Sequence, residues 1–282
     1  AEKNPPPIPP ENFIDPVTVK VREMKGRGMS DDQIIEALER SGMGYYPPTG
    51  ATWIGRKPTP EEMQKLPPRK YPFKDVPSEV PSPGYQANQV METVYFSYRG
   101  FTNYLKPGTL AINTGKSTLH LATTHIGRGG HWTEGGVFRW ENRPEWTEFT
   151  YDDDEGGWLY HEYTDANTFT NYQILVTTTY EPAGYKYNIW IDGNWVRSGH
   201  LPYLNNRVDQ ANEVWSETNK WTPDTIKAEH KDPYLYIKQF NSVRSVKWGK
   251  NIATNWWHAP EPCPVQENHY ISNSAWRYLT WV

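Results

Sequence analysis

The chain has one cysteine among its 282 residues, Cys263. That excludes an internal disulfide framework, a cage of thiolates around zinc and a CxxC redox pair. Long apolar runs are also missing. No stretch approaches the ~18 residues of a membrane span, and no charged-then-apolar signal segment opens the sequence. Nor is positive charge in excess. Twenty-nine basic side chains face 33 acidic ones, a formal net charge of −4, whereas a nucleic-acid binder shows a strongly basic face. Mean hydropathy is low at −0.84, a value that on its own resembles disorder. The aromatics exclude that reading. With 14 Trp, 19 Tyr and 8 Phe, the chain can bury large areas despite few aliphatics, and disordered chains are poor in such residues.

Proline is unevenly spread. Pro5, Pro6, Pro7, Pro9, Pro10 and Pro16 make an extended leader. Ser30 followed by Gln33 is a capping box, Ile34, Ile35 and Leu38 form an apolar stripe, and Gly42 sits where a helix ends. Val17 to Lys25 is a second helix or a strand. Ten further prolines between Pro47 and Pro83 exclude central strands there. Residues 1–85 therefore read as a small, partly helical appendage with a linker near Pro77–Gly84. From about residue 90 onward, short runs rich in Val, Ile, Thr, Tyr and Trp alternate with turn residues, as in Ser117–Ile126, Gly136–Trp140, Trp146–Tyr151, Trp158–Tyr163, Tyr172–Tyr180 and Tyr185–Ile191. Asp192-Gly193 between Ile191 and Trp195 is a tight-hairpin signal. Strands at this spacing without amphipathic helices between them predict an all-β domain over 86–282, an antiparallel β-sandwich.

Several other motifs admit a site reading but lack part of its context. Asn113-Thr-Gly-Lys-Ser-Thr118 looks like the end of a phosphate loop, but Leu110 stands where the first glycine belongs and a strand follows instead of a helix. His120 and His125 fall on opposite faces of a regular strand, so with His131 they share a metal only across a bend. Asp152-Asp153-Asp154-Glu155-Gly156-Gly157 has oxygen ligands but no EF-hand spacing, and acidic residues before a double glycine are ordinary turn chemistry. No metal and no cofactor is assigned. Cys263, between Pro260 and Pro264, has no nucleophile signature.

Two glutamates stand in strand texture, where Glu is unfavoured unless it faces solvent or serves a site. Glu134 lies in Trp132-Thr-Glu-Gly-Gly-Val-Phe138, and Glu217 ends Glu213-Val-Trp-Ser-Glu217. Trp132, Trp158, Tyr160, Trp190 and Trp215 are candidates to line a peptide-binding groove, and equally candidates for the sandwich core.

Read together, these segments resemble the neprosin family of glutamic peptidases and, more distantly, the eqolisin-type peptidases. Tyr98-Arg-Gly-Phe-Thr-Asn103 with Lys106-Pro-Gly108 is similar to the opening of the neprosin catalytic domain. The Glu134 segment looks like the strand in which a glutamate precedes a small residue and then glycine. Asp192-Gly-Asn-Trp195 with Gly199 and Leu201-Pro-Tyr-Leu204 resembles a Gly-Asn-Trp stretch and its proline loop. Glu213-Val-Trp-Ser-Glu217 matches the place of a segment whose last glutamate is catalytic, with Trp215 and Ser216 replacing paired glycines. Thr49-Gly-Ala-Thr-Trp-Ile-Gly-Arg56 looks like the activation-peptide signature. The resemblance implies a secreted, acid-active endopeptidase without cofactor, with Glu134 and Glu217 as catalytic pair, cleavage after proline in peptide substrates, and residues 1–85 as an inhibitory propeptide. The start at Ala1 is read as that of a mature secreted chain. A carbohydrate-binding β-sandwich, a glycosidase using the same carboxylates, and a structural surface or filament subunit are the competing readings of the same composition.

Overall fold

The computed structural model describes residues 23–24, 26–40, 51–66, 85–94, 100–109, 118–128, 131–140, 145–181, 184–202, 207–216, 226–239, 242–247, 255–258, 266–271 and 276–281. Glu217, Gly42, Cys263 and the linker at 77–84 lie outside them.

Among the described residues, two short helices lie on either side of the first strand. In α1 (Asp31–Arg40) the predicted capping box is present: the Gln33 side chain accepts from the Ser30 N–H at 2.9 Å and the Ser30 hydroxyl from the Gln33 N–H at 3.3 Å. Glu23 and Met24, at the end of the segment read as helix or strand, are helical. A second capping box, Thr59 with Glu62, opens α2 (Pro60–Lys65), with proline at its first position.

The rest is antiparallel β. The strands are β1 (Thr52–Trp53), β2 (Tyr85–Val94), β3 (Gly100–Lys106), β4 (Thr118–Arg128), β5 (His131–Trp140), β6 (Trp146–Asp152), β7 (Leu159–Thr164), β8 (Thr170–Glu181), β9 (Gly184–Ile191), β10 (Asn194–Leu201), β11 (Arg207–Ser216), β12 (Ala228–Gln239), β13 (Ser242–Lys247), β14 (Asn255–His258), β15 (Gln266–Ile271) and β16 (Trp276–Trp281). Among the described residues they form two sheets. One runs β1-β10-β9-β8-β3-β12-β16-β15 with β13 paired to β12, the other β14-β2-β11-β4-β5-β6-β7. The predicted hairpin is the β9–β10 turn. Asp192 and Gly193 both have positive φ, 47° and 79°, as a two-residue turn matched to strand twist requires.

The sheets face each other across one core, the sandwich that the alternating strand texture predicts. Phe101, Leu105, Tyr172, Ile174, Tyr185, Tyr187 and Ile189 from one sheet meet Ile126, Val137, Trp146 and Val208 from the other. Period-two alternation then sets which residues of β5 look inward. A Cβ on Gly135 would stand 2.8 Å from Cδ1 of Tyr172, a residue of β8 in the opposite sheet. Thr133, Gly135 and Val137 therefore face the core, and Trp132, Glu134 and Phe138 face away from it. This glycine serves the core: it admits the Tyr172 ring, whose hydroxyl donates to the Gly136 carbonyl at 2.7 Å.

The interior also holds a polar network. The Tyr187 hydroxyl donates a short hydrogen bond to Asp152 Oδ2. The fully buried Arg197 reaches the carbonyls of Glu155 and Gly157, the latter at 2.9 Å, and so caps the turn after β6 from inside.

The N-terminal segment bridges both sheets. β1 pairs with β10, Thr52 opposite Ser198, and Arg56 forms a backbone bridge with Tyr160 of β7. Leu66 packs against a second apolar cluster made by Phe138, Phe149, Trp158 and Tyr160.

Candidate active site

The site is assembled by register in the seven-stranded sheet. Glu134 of β5 stands opposite Tyr151 of β6 and His125 of β4. His125 in turn stands opposite Asp209 of β11, and Asp209 opposite Glu92 of β2. Directly opposed residues in an antiparallel ladder share a face. Glu134 and Asp209 thus lie in one cross-strand row, with β4 between them, on the face turned away from the core. Two strand spacings put their Cα atoms about 10 Å apart. Neither is exposed: both have relative accessibility of 0%. Carboxylates buried this fully are rare among residues of their type. On the outer face of a sheet they require a covering layer.

Aromatic side chains flank the row. Trp132 is 2% exposed and its ring centroid is 5.3 Å from that of Tyr151, the cross-strand partner of Glu134. Trp158 and Tyr160 are buried in the cluster on this face, with Phe138 5.7 Å from Trp158 and 4.9 Å from Tyr160 between centroids. Arg56 lies over the Tyr160 ring at 4.9 Å and is held there by two bonds to Glu62, at 2.7 and 2.9 Å.

Not every residue singled out in the sequence comes together here. Trp190 is on β9, between Ile189 and Ile191, which point into the core. It therefore sits on the outer face of the other sheet, across the sandwich from Glu134. Of Trp215 the backbone is described, opposite Leu119 and Gln86. Glu217 is outside the described residues. Its neighbour Ser216, the last residue of β11, is seven positions along the strand from Asp209, about 23 Å at strand rise.

Asp209 was not singled out in the sequence. The strand texture there predicts a strand only from Glu213, whereas β11 begins at Arg207. Arg-Val-Asp-Gln-Ala-Asn carries no apolar alternation, so only the long-range register with Glu134 reveals this residue.

Titratable groups below this face are strongly perturbed. Glu148 of β6 is pushed up to about 7, first by burial and then by the charge of Asp192, against the bond from Thr170. Asp152 is pushed up to about 6 by burial, against Arg197 and Tyr187. His161, hydrogen-bonding distance from Thr150 at 3.0 Å, is pushed down to about 4 by burial.

No protein-family model and no curated protein matches the sequence. Among solved structures the chain is similar to a scytalido-glutamic peptidase with a peptide-based transition-state analogue, at 7% identity and a TM-score of 0.42, covering 70% of this chain and 96% of that one. It is also similar to SCP-B, a member of the eqolisin family of peptidases, in complex with the tripeptide Ala-Ile-His, at 7% identity and a TM-score of 0.40, covering 69% and 96%. An alginate lyase from Pseudomonas aeruginosa is similar at 10% identity and a TM-score of 0.33, covering 55% and 68%. These are likenesses of strand arrangement alone.

Proposed function

We propose that the protein is an acid-active endopeptidase of the carboxyl type, with Glu134 and Asp209 as its general acid/base pair. The observation that carries this reading is the row of two fully buried carboxylates on the sheet face turned away from the core. Such a pair divides the work. An ionised carboxylate takes a proton from water as the water attacks the scissile carbonyl, and a protonated one polarises the carbonyl oxygen and then donates to the leaving amine. Their Cα atoms lie about 10 Å apart with His125 of β4 between them in the same row, so in this reading the peptide group and the water lie over the row and not within it. Acid conditions suit both the chemistry and the fold, because Glu148 and Asp152 are protonated in the folded chain well above the ordinary carboxylate range.

The N-terminal segment is the inhibitor in this reading. Leu66 and Arg56 lie on the same face as Glu134, against the aromatic cluster, and a buried catalytic pair is a blocked one. The chain is then a zymogen, opened by cleavage in the proline-rich linker. Secretion and a preference for cleaving after proline belong to this proposal through the family resemblance.

The test is peptide cleavage between about pH 2 and 7, with fragments mapped by mass, on the wild type, Glu134→Gln, Asp209→Asn and Glu217→Gln after removal of the N-terminal segment. Loss of about 10²-fold or more in Glu134→Gln and Asp209→Asn, with Glu217→Gln retaining activity, is the expected result. Full activity in Asp209→Asn with loss in Glu217→Gln would transfer the second role to Glu217. No cleavage by any form at any pH would sink the peptidase reading.

A further inference from the structure

A second polar cluster lies at the start of β5, and nothing in the proposed reaction uses it. His131 opens the strand, and the tight turn after β6 carries Asp153 and Asp154. One donor atom from each of these three side chains lies within 4.8 Å of the other two. His131 Nδ1 is 2.6 Å from Asp154 Oδ1. The Asp154 side chain is only 8% exposed, and its other oxygen, Oδ2, is buried with no hydrogen-bond partner among the described residues. A buried carboxylate oxygen left without a donor costs free energy that a cation would recover.

The frame around the cluster is fixed by backbone bonds. Asp152 Oδ1 accepts the N–H groups of Asp154 and Glu155 at 2.8 and 2.9 Å, and the Asp153 N–H donates to the Trp132 carbonyl at 3.1 Å. The Tyr151 hydroxyl donates to Asp153 Oδ1 at 3.1 Å, which orients that carboxylate. Such outer bonds are what hold metal-ligating carboxylates in place. Asp153 is exposed, so an ion has a path from solvent.

The geometry points to a divalent transition-metal site of the Zn2+ class, with His131, Asp153 and Asp154 as its protein ligands and the remaining position open to water. An imidazole with two carboxylates suits zinc and its neighbours, whereas calcium takes six to eight oxygens. Bonds of about 2.0–2.2 Å in tetrahedral geometry place ligand atoms roughly 3.3 Å apart. The His131–Asp154 pair therefore opens by less than an ångström, and the ion replaces the proton the two share, which leaves to solvent. Bound there, the ion ties the turn at 153–156 to the start of β5, three residues from Glu134. The same turn anchors the N-terminal segment, since Glu155 Oε1 accepts the Ala51 N–H at 2.8 Å. The inference does not depend on the peptidase reading.

The test is calorimetric titration and thermal unfolding of the full chain, stripped with a chelator, with ZnCl2 and separately CaCl2 at about pH 7.5, on the wild type, Asp153→Asn and His131→Gln. Asp153 is exposed, so its substitution leaves the fold intact. One Zn2+ per chain is expected, with a rise in Tm, an affinity at least tenfold weaker in each variant, and weaker binding of Ca2+. Absence of any heat or Tm shift with about 1 mM Zn2+ would overturn the site. So would equal Zn2+ affinity in all three proteins, which would put the ion on other histidines, or tighter binding of Ca2+ than Zn2+.

Discussion

Tyr187 and Asp152 join the two sheets through the interior: the phenol of β9 donates to a carboxylate at the end of β6. Both are fully buried. The Tyr187 hydroxyl is held well above its ordinary pKa, by burial first and then by the Asp152 charge, so it remains a donor at any working pH. Removing it in Tyr187→Phe deprives Asp152 Oδ2 of this donor, while Oδ1 keeps the N–H groups of Asp154 and Glu155. The expected loss in stability is about 1–3 kcal/mol at pH 8 and less at pH 4, where Asp152 is protonated. Denaturant unfolding at the two pH values measures the difference, and an equal loss at both would contradict the assignment.

Glu148 makes a second pH prediction. Its folded pKa, about 7, lies above the ordinary 4.5. An acid with a raised folded pKa contributes stability that is complete below the unfolded value and is lost as pH rises through the folded one. Stability should therefore fall between about pH 4.5 and 7 in the wild type, and Glu148→Gln should flatten that decline. Unfolding midpoints across this range decide it. An unchanged slope in the variant would assign the decline to other groups.

His161 acts in the opposite direction. Its folded pKa, about 4, lies below the ordinary 6.5. The unfolded chain gains this proton first, so the contribution present above 6.5 is lost as pH falls toward 4. His161→Gln is expected to gain stability at about pH 4 relative to its effect at about pH 8. Two carboxyls, Glu148 and Asp152, oppose one imidazole, so the fold as a whole is expected to tolerate mild acid.

Gly135 tests the packing behind the site. An alanine there meets the Tyr172 ring at 2.8 Å, and that ring is anchored by its bond to the Gly136 carbonyl. Gly135→Ala should destabilise by about 1–3 kcal/mol, as overpacking does. A thermal melt is sufficient, and an unchanged Tm would show that the ring can yield.

The cover over the aromatic face should be loosened by breaking its anchor. Arg56→Ala removes the contact on Tyr160 and both bonds to Glu62. The pair is partly exposed, so the loss in global stability should stay within about 1 kcal/mol. Hydrogen exchange in residues 51–66 should nonetheless speed up more than in β8. Uniform exchange across the molecule would mean that the segment does not open separately.

The sandwich, the α1 capping box and the Asp192-Gly193 turn were legible because each is a local pattern: alternation, a pair three residues apart, a dipeptide with positive φ. Glu134 was legible as a carboxylate in strand texture. Asp209 was not, since charged residues in Arg-Val-Asp-Gln mask the strand and no local signal tells a buried aspartate from a surface one. The aromatic pattern was ambiguous for a physical reason. A ring at strand spacing marks a face but not which sheet, so Trp158 and Trp190 read alike and lie on opposite outer surfaces.

One short segment touches two edges. β1 lies along β10, the outermost long strand of one sheet, and Arg56 bridges to β7, the outermost strand of the other. Strand edges present rows of unpaired amide and carbonyl groups that recruit further strands. Excision of residues 51–66 would therefore free further backbone groups on both edges at once. The trimmed molecule would become prone to stacking on copies of itself, so that its concentration in solution would be bounded by self-association.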